Sequence, residues 1–398
     1  MSTEAERIPA TGAFRLSADE QHLLEQAENF ARREMAPLAE RMDNQEWWPL
    51  DLMATLGRNG MLGATVGEEY GGAGMSLLEA GLVTQAFARW NPAVALSFVA
   101  HDNLCANNIY VNANDDIRRR YLPKLCSGEW IGCLGLTEPG AGSDALGSMR
   151  TRAIRDGDVY RITGSKLYIT NSPVADVCLL YAKTQPDRGS KGITAFVVDT
   201  KTPGFTVAQK LTKMGFRGSP TGELVLDDLV VPVENIVGEE HLGHQVVMSG
   251  LDIERAMVAP ISVGIAERAL ALSIEFAKTR EQFGRPIAQF QMVQSLIAEM
   301  YVDLQAATAL CWQVLAECDA IDAADAGRGG IHARSAAAVM FCAEMSNRVL
   351  DRAVQVHGGN GYIWETEINR LFRTIKLLEI GAGTTEIRKM IIAGELLK

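Results

Sequence analysis

Four short stretches of this 398-residue chain gather residue types suited to holding an anionic ligand: "GLTEPGAGSD" (135–144), "LYITNS" (167–172), "QVHGGNGY" (355–362) and "EIGAGTTEI" (379–387). Glycine leaves backbone N–H groups open, and Ser and Thr add hydroxyl donors, the combination that cradles phosphate. Any one of them alone reads as a turn. The last is the oddest, because good helix formers flank Gly381-Ala382-Gly383, and a glycine inside a helix costs about 1 kcal/mol against alanine. Two readings stay open on the residues alone. Gly381 or Gly383 could end a helix in a left-handed conformation, with Thr384 capping the next, or a ligand could come close to the backbone here.

Other chemistries lack their residues. No G-x-G-x-x-G follows a strand pattern and no G-x-x-x-x-G-K-[ST] occurs, so the dinucleotide fingerprint and the P-loop are absent. There is no G-x-S-x-G elbow and no H-E-x-x-H. The six histidines are read as forming no metal site. His357 is read as a packed, hydrogen-bonded side chain.

The elements that must position these stretches change character along the chain. Ser17 with Glu20 and Ser76 with Glu79 read as capping boxes opening helices, with further helical pattern through Tyr110 and from Asp115 to Leu125. From about residue 131, short runs rich in β-branched residues and separated by Gly turns predict an antiparallel β domain. After Pro232 four long amphipathic segments are predicted, Val246 to Lys278, Phe290 to Ala320, Ile331 to Val356, and Thr385 onward. The expected architecture is α+β: an N-terminal helical domain (1–130), a middle antiparallel β domain (131–238) and a C-terminal four-helix bundle (239–398). The first two Gly/Thr stretches flank strands and the last two lie among the C-terminal helices, so one extended ligand would lie where β domain and bundle meet.

Net charge is −11, against the concentrated basic face that nonspecific nucleic-acid binding uses. Seven cysteines with no C-x-x-C spacing read as reduced, buried thiols with neither metal site nor disulfide framework. The acidic opening "MSTEAERIPATGAF" lacks the features of a secretory or transit signal, and no run of about 18 apolar residues is seen. A cytoplasmic protein with no membrane segment is expected.

In order and spacing, "LTEPGAGSD", "YITN", "TREQFGRPIAQFQ" and "QVHGGNGY" resemble the acyl-CoA dehydrogenase family over nearly the whole chain. The resemblance implies FAD between β domain and bundle, an acyl-CoA substrate, an electron-transfer flavoprotein as acceptor, and a homotetramer. Carried over by position, it implies that Leu136, Thr137, Ser143 and Thr170 contact the flavin or its pyrophosphate. Tyr168 stands where members commonly place tryptophan against the flavin ring. Arg280, Phe283 and Gln291 would reach the FAD of a partner subunit, Gln355, Gly358 and Gly359 would hold its adenosine part, and Thr384 and Glu386 would lie near it again.

The family reaction needs a carboxylate to take the proton α to the thioester carbonyl. Most members place a glutamate where this chain has Ala382. Isovaleryl-type members place it instead on a helix in an "LD-x-ER" pattern, which here is "LDIER" with Glu254, and pair it with "EIGAGT". Glu254 is therefore the expected base, the alternative being a surface pair with Arg255 or Arg268. Gly381 and Ala382 would widen the acyl pocket for a β-branched group, and the backbone N–H near Ala382 would polarise the carbonyl. Ser143, Asp252 and Arg255 resemble substrate-contacting positions. Gln245, where isovaleryl-type members have tyrosine, makes a longer or more polar branched acyl group an alternative. An oxidase- or monooxygenase-like relative and a non-catalytic acyl-CoA-binding protein are the competing functions.

Overall fold

The computed structural model describes residues 15–319 and 329–398; the acidic stretch 1–14 and Ala320 lie outside them. Helices come first: α1 (Ala18–Phe30), α2 (Ala39–Gln45), α3 (Leu52–Arg58), α4 (Leu77–Trp90), α5 (Pro92–His101), α6 (Asn108–Asn112) and α7 (Asp115–Cys126). Both capping boxes form, Ser17 with Glu20 and Ser76 with Glu79. Asn91 ends α4 and caps α5, whose first residue is Pro92, where a missing N–H costs nothing.

Strands follow: β1 (Gly132–Gly135), β2 (Arg152–Asp156), β3 (Val159–Thr170), β4 (Val177–Lys183), β5 (Ile193–Asp199), β6 (Phe205–Lys210), β7 (Thr221–Pro232) and β8 (Ile236–Val237). They form one sheet in the order β6-β7-β3-β2-β4-β5-β8, with β1 beside β4. The sheet is not wholly antiparallel as expected. β1 runs parallel to β4, and β2 meets β4 in parallel at Arg152 and Lys183, because long connections return the chain in the same direction. Alternation explains the burial of β4 on both faces. Val177, Leu179 and Tyr181 join a cluster with Ile109, Leu125 and Val247 of the helices, while Cys178, Leu180 and Ala182 pack inside the β domain.

The chain then returns to helix: α8 (Gly243–Thr279), a hairpin of β9 (Glu281–Gln282) and β10 (Arg285–Pro286), α9 (Gln291–Cys318), α10 (Gly329–His357), α11 (Gly359–Tyr362), α12 (Glu367–Ile375) and α13 (Thr385–Leu396). α8 packs between α4 and α10. Gly264 permits the close approach to α4, since a Cβ there would fall 2.2 Å from the Gln85 carbonyl oxygen. One core cluster runs from α1, α4 and α5 through α8, α9 and α10, so the N-terminal helices and the bundle share a core. The expectation that no segment is long and apolar enough to cross a membrane is corrected by α8. Its length and composition suffice, yet 72% of its most apolar window is buried inside the fold. All seven cysteines are buried. His357 bonds the Ala353 carbonyl through Nδ1 at 2.7 Å and stacks on Phe276 at 4.6 Å, a packed side chain as read from the sequence.

Candidate active site

Glu254 lies on α8, flanked by the buried Asp252, Arg255, Ala256 and Met257, and is itself half-buried. Burial pushes its carboxyl up to about 7, while the charges of Arg255 and Arg388 pull the other way. Among the described residues it makes no hydrogen bond and no ion pair. The two arginines that would have tied it into a surface pair are engaged elsewhere. Arg268 grips both oxygens of Glu367 at 2.8 and 2.7 Å, and Arg255 donates to Asp252 at 3.4 Å. A desolvated, unpartnered carboxylate with a pKa near neutrality suits proton abstraction.

Residues 381–383 form the turn before α13, which Thr384 caps by accepting the Ile387 N–H on its hydroxyl at 3.4 Å. Ala382 has a φ of 54° and Gly383 of 86°. The left-handed pair explains glycine at 383, and leaves Ala382 in a conformation that costs an L-residue about 1 kcal/mol or more. It does not explain Gly381, where an added Cβ would meet nothing nearer than the Leu377 carbonyl at 3.5 Å. The turn thus accounts for Gly383 and leaves Gly381 unexplained by the backbone. Arg388, fully buried one helical turn along, donates from Nη2 to the Gly381 carbonyl at 2.5 Å. Sequence reasoning missed it.

The 135–144 stretch is held against β3 by a buried ion pair also missed. Lys166 donates to Glu138 at 3.0 Å and to the Leu136 carbonyl at 3.1 Å, and Glu138 accepts the N–H groups of Arg150 and Thr151. Burial lowers the Lys166 ammonium to about 8, with Glu138 opposing. Burial works against the Glu138 carboxylate, but Lys166 and the hydrogen bonds from Thr151 and Arg150 hold it below its ordinary value. A signal existed: Tyr160, Ile162 and Lys166 share the buried register of β3. The Leu167 N–H bonds the Thr137 carbonyl at 2.9 Å, which fixes Leu136 and Thr137 beside Tyr168 and Thr170. A bulge between Lys166 and Ile169 turns Tyr168 outward, with φ of 62° and 66% exposure. Ser143 is exposed.

The remaining expected residues lie on other elements. Arg280, Phe283 and Gln291 stand exposed around the β9–β10 hairpin, Phe283 at 93%. Gln355, Gly358 and Gly359 are exposed at the end of α10, and Glu386 is exposed at the start of α13. Asp252 is buried, its carboxylate 2.6 Å from His332 Nδ1 on α10, so its nearest partners are protein groups. Gln245 is exposed and lies nine residues before Glu254, about half a turn out of phase on a regular helix. The helix therefore turns it away from the face that carries Glu254.

Three comparisons bear on the family to which this chain belongs. Residues 17–129, 133–229 and 241–397 match the acyl-CoA dehydrogenase N-terminal, middle and C-terminal domain families. An isovaleryl-CoA dehydrogenase, mitochondrial, of Solanum tuberosum is 43% identical over 377 residues, 94% of this chain and 89% of that protein. A 2-methylacyl-CoA dehydrogenase, mitochondrial, of the same plant is 41% identical with the same coverage. Butyryl-CoA dehydrogenase from Megasphaera elsdenii superposes with a TM-score of 0.92 at 35% identity, covering 97% of this chain and 100% of that one. The fold and the spread of matches define an oxidoreductase of acyl thioesters. The chain belongs to the acyl-CoA dehydrogenase family, which is FAD-dependent.

The residues present fit that cofactor. A Cβ placed at Gly140, Gly142, Gly358 or Gly359 would meet nothing within 4 Å, so two of the Gly-rich stretches offer uncovered backbone. Tyr168 presents an aromatic face, and Ser143 a hydroxyl, on the strand side.

Proposed function

We propose that this chain oxidises a short branched acyl-CoA to its α,β-unsaturated thioester, with Glu254 as the base. The observation that carries the reading is Glu254 itself: desolvated, without a partner among the described residues and near-neutral in pKa, in a chain whose usual carboxylate position is Ala382. Its carboxylate takes the α proton. The Ala382 N–H polarises the thioester carbonyl against the charge that develops there, a contribution of a few kcal/mol where such donors are preorganised (about 2.7–4 for one donor). FAD, when bound, would supply the acceptor for the β hydride, and an electron-transfer flavoprotein is the partner proposed for the electrons. Leu136, Thr137, Ser143, Tyr168 and Thr170 would hold the flavin end. Gln355, Gly358 and Gly359 would hold the adenosine end, with Thr384 and Glu386 alongside. Arg280, Phe283 and Gln291 would reach a neighbour's FAD in a homotetramer, a reading supported by the 93% exposure of Phe283 and the 84% exposure of Met292 and Tyr362. Arg255 brings a cation to the anionic substrate, and Gly381 supplies room for the branch.

Anaerobic titration with isovaleryl-CoA tests this. The wild-type flavin band bleaches. Glu254→Gln retains flavin and binds substrate, but bleaches about 10²- to 10⁴-fold more slowly, the range for a positioned base. A near-normal rate in that variant removes Glu254 from the mechanism. Fast peroxide formation in air without an added acceptor would point to an oxidase instead.

A further inference from the structure

Arg388 is fully buried on α13, and only one of its three guanidinium nitrogens has a partner among the described residues. Nη2 holds the Gly381 carbonyl at 2.5 Å, while Nε and Nη1 are buried with none. Unmet buried donors weigh against stability, so packing alone does not account for an arginine here. Its single bond has a geometric consequence. The Gly381–Ala382 peptide is trans, and in a planar trans peptide the C=O and the next N–H point in opposite directions. Anchoring the Gly381 oxygen toward Arg388 sends the Ala382 N–H away from it. The left-handed φ of Ala382 and Gly383 completes a turn that would otherwise relax. The guanidinium also acts on the groups around the proposed base: its charge and that of Arg255 both lower the Glu254 carboxyl, and Arg255 in turn, after burial, lowers Arg388.

We infer that Arg388 is a positioning residue for the reaction: by gripping the Gly381 carbonyl it aims the Ala382 N–H at the thioester oxygen, and its charge favours the enolate that forms there. The inference rests on the function proposed above. It assigns the two roles to different helices: α8 provides the base, and α13 steadies the donor.

The test uses the FAD-loaded enzyme and acetoacetyl-CoA, whose acidic methylene reports enolate stabilisation through ultraviolet absorbance without turnover. Wild type, Arg388→Met and Arg388→Gln are compared by the apparent pKa at which the bound ligand enolises, together with kcat and KM for isovaleryl-CoA. The expected result is retained flavin, an enolisation pKa raised by about one unit or more in both variants (tenfold at one unit), and a fall in kcat larger than any change in KM. Gln keeps a donor without the charge and is the smaller perturbation should Met fail to load flavin. Variants that enolise the bound ligand as wild type does overturn the inference while leaving the function standing. Loss of flavin in both variants makes Arg388 a folding residue and overturns it too. A wild type that fails to enolise bound acetoacetyl-CoA removes the proposed function, and the inference with it.

Discussion

Replacing Glu254 by glutamine should make the protein more stable, and only above mildly acidic pH. Burial moves this carboxyl from its ordinary 4.5 to about 7. Below pH 4.5 both the folded and unfolded chains carry the proton, and acid and amide are near-isosteric. Between 4.5 and 7 the unfolded chain releases the proton while the folded chain keeps it. The unfolded state then binds fewer protons, so wild-type stability falls as pH rises through this window and levels off above it. At about 1.36 kcal/mol per pKa unit the whole effect is about 3 kcal/mol. For a chain of 398 residues, an unfolding entropy of about 2.1 cal/mol/K per residue converts this to about 3–4 °C in Tm. Thermal unfolding of wild type and Glu254→Gln in saturating FAD, from pH 5 to 8, measures it. The midpoints should nearly coincide at pH 5, with the variant ahead at pH 8. A gap that does not change with pH, or a wild type that is the more stable at pH 8, would mean that the carboxylate is solvated or paired, and would refute the desolvated-base reasoning.

The kinetic counterpart is a wild-type kcat/KM for isovaleryl-CoA that rises with pH through about 7 and flattens above, a limb that stopped-flow flavin reduction should lose in Glu254→Gln. Gly381→Ala should change stability by less than about 1 kcal/mol, because its Cβ has room. It should nonetheless lower kcat/KM for isovaleryl-CoA about tenfold more than for butyryl-CoA, the scale of one methyl in a closed pocket. Gly383→Ala, at a φ of 86°, should destabilise by about 1–2 kcal/mol with little change in that preference. Lys166→Met strands the buried Glu138 carboxylate and should cost about 3–5 kcal/mol, read as a lower Tm and a lower flavin-to-protein absorbance ratio; unchanged values would show that the 135–144 stretch does not depend on the pair.

Features encoded within one turn of chain were legible in the sequence. Ser17 with Glu20 and Ser76 with Glu79 cap helices as their spacing implies, and the starts of α8, α9, α10 and α13 lie within three residues of their predicted positions, because helical periodicity and caps are local. Features that depend on distant partners were not. β6, "FTVAQK", exposes most of its residues and is a strand by virtue of pairing with β7. α12 went unread for a different reason: it is only nine residues long, although Ile368, Leu371 and Ile375 are spaced as one buried helical face behind the Thr366 cap. The parallel pairing of β1 with β4 joins residues more than forty positions apart, beyond any local pattern.

The candidate site divides along the same line. Glu254 could be singled out because the change at Ala382 and the "LDIER" pattern point to each other in sequence. What surrounds it could not. His332 reaches Asp252 across 80 residues, and Lys166 reaches Glu138 across 28, contacts created by docking one element on another. Gln245 shows how residue type and helical phase can point in different directions. Its residue type suggested a polar pocket lining, but helical phase turns it from the face of Glu254, and phase along α8 is a stronger constraint than proximity in sequence. The turn at 381–383 joins both kinds of information. Its left-handed backbone is local and was anticipated, whereas the direction of its central N–H depends on an arginine buried in the next helix. If Glu254 is the base as proposed, the turn carries no carboxylate and only its backbone can act on the substrate, which makes the hold of Arg388 on the Gly381 carbonyl the contact to perturb.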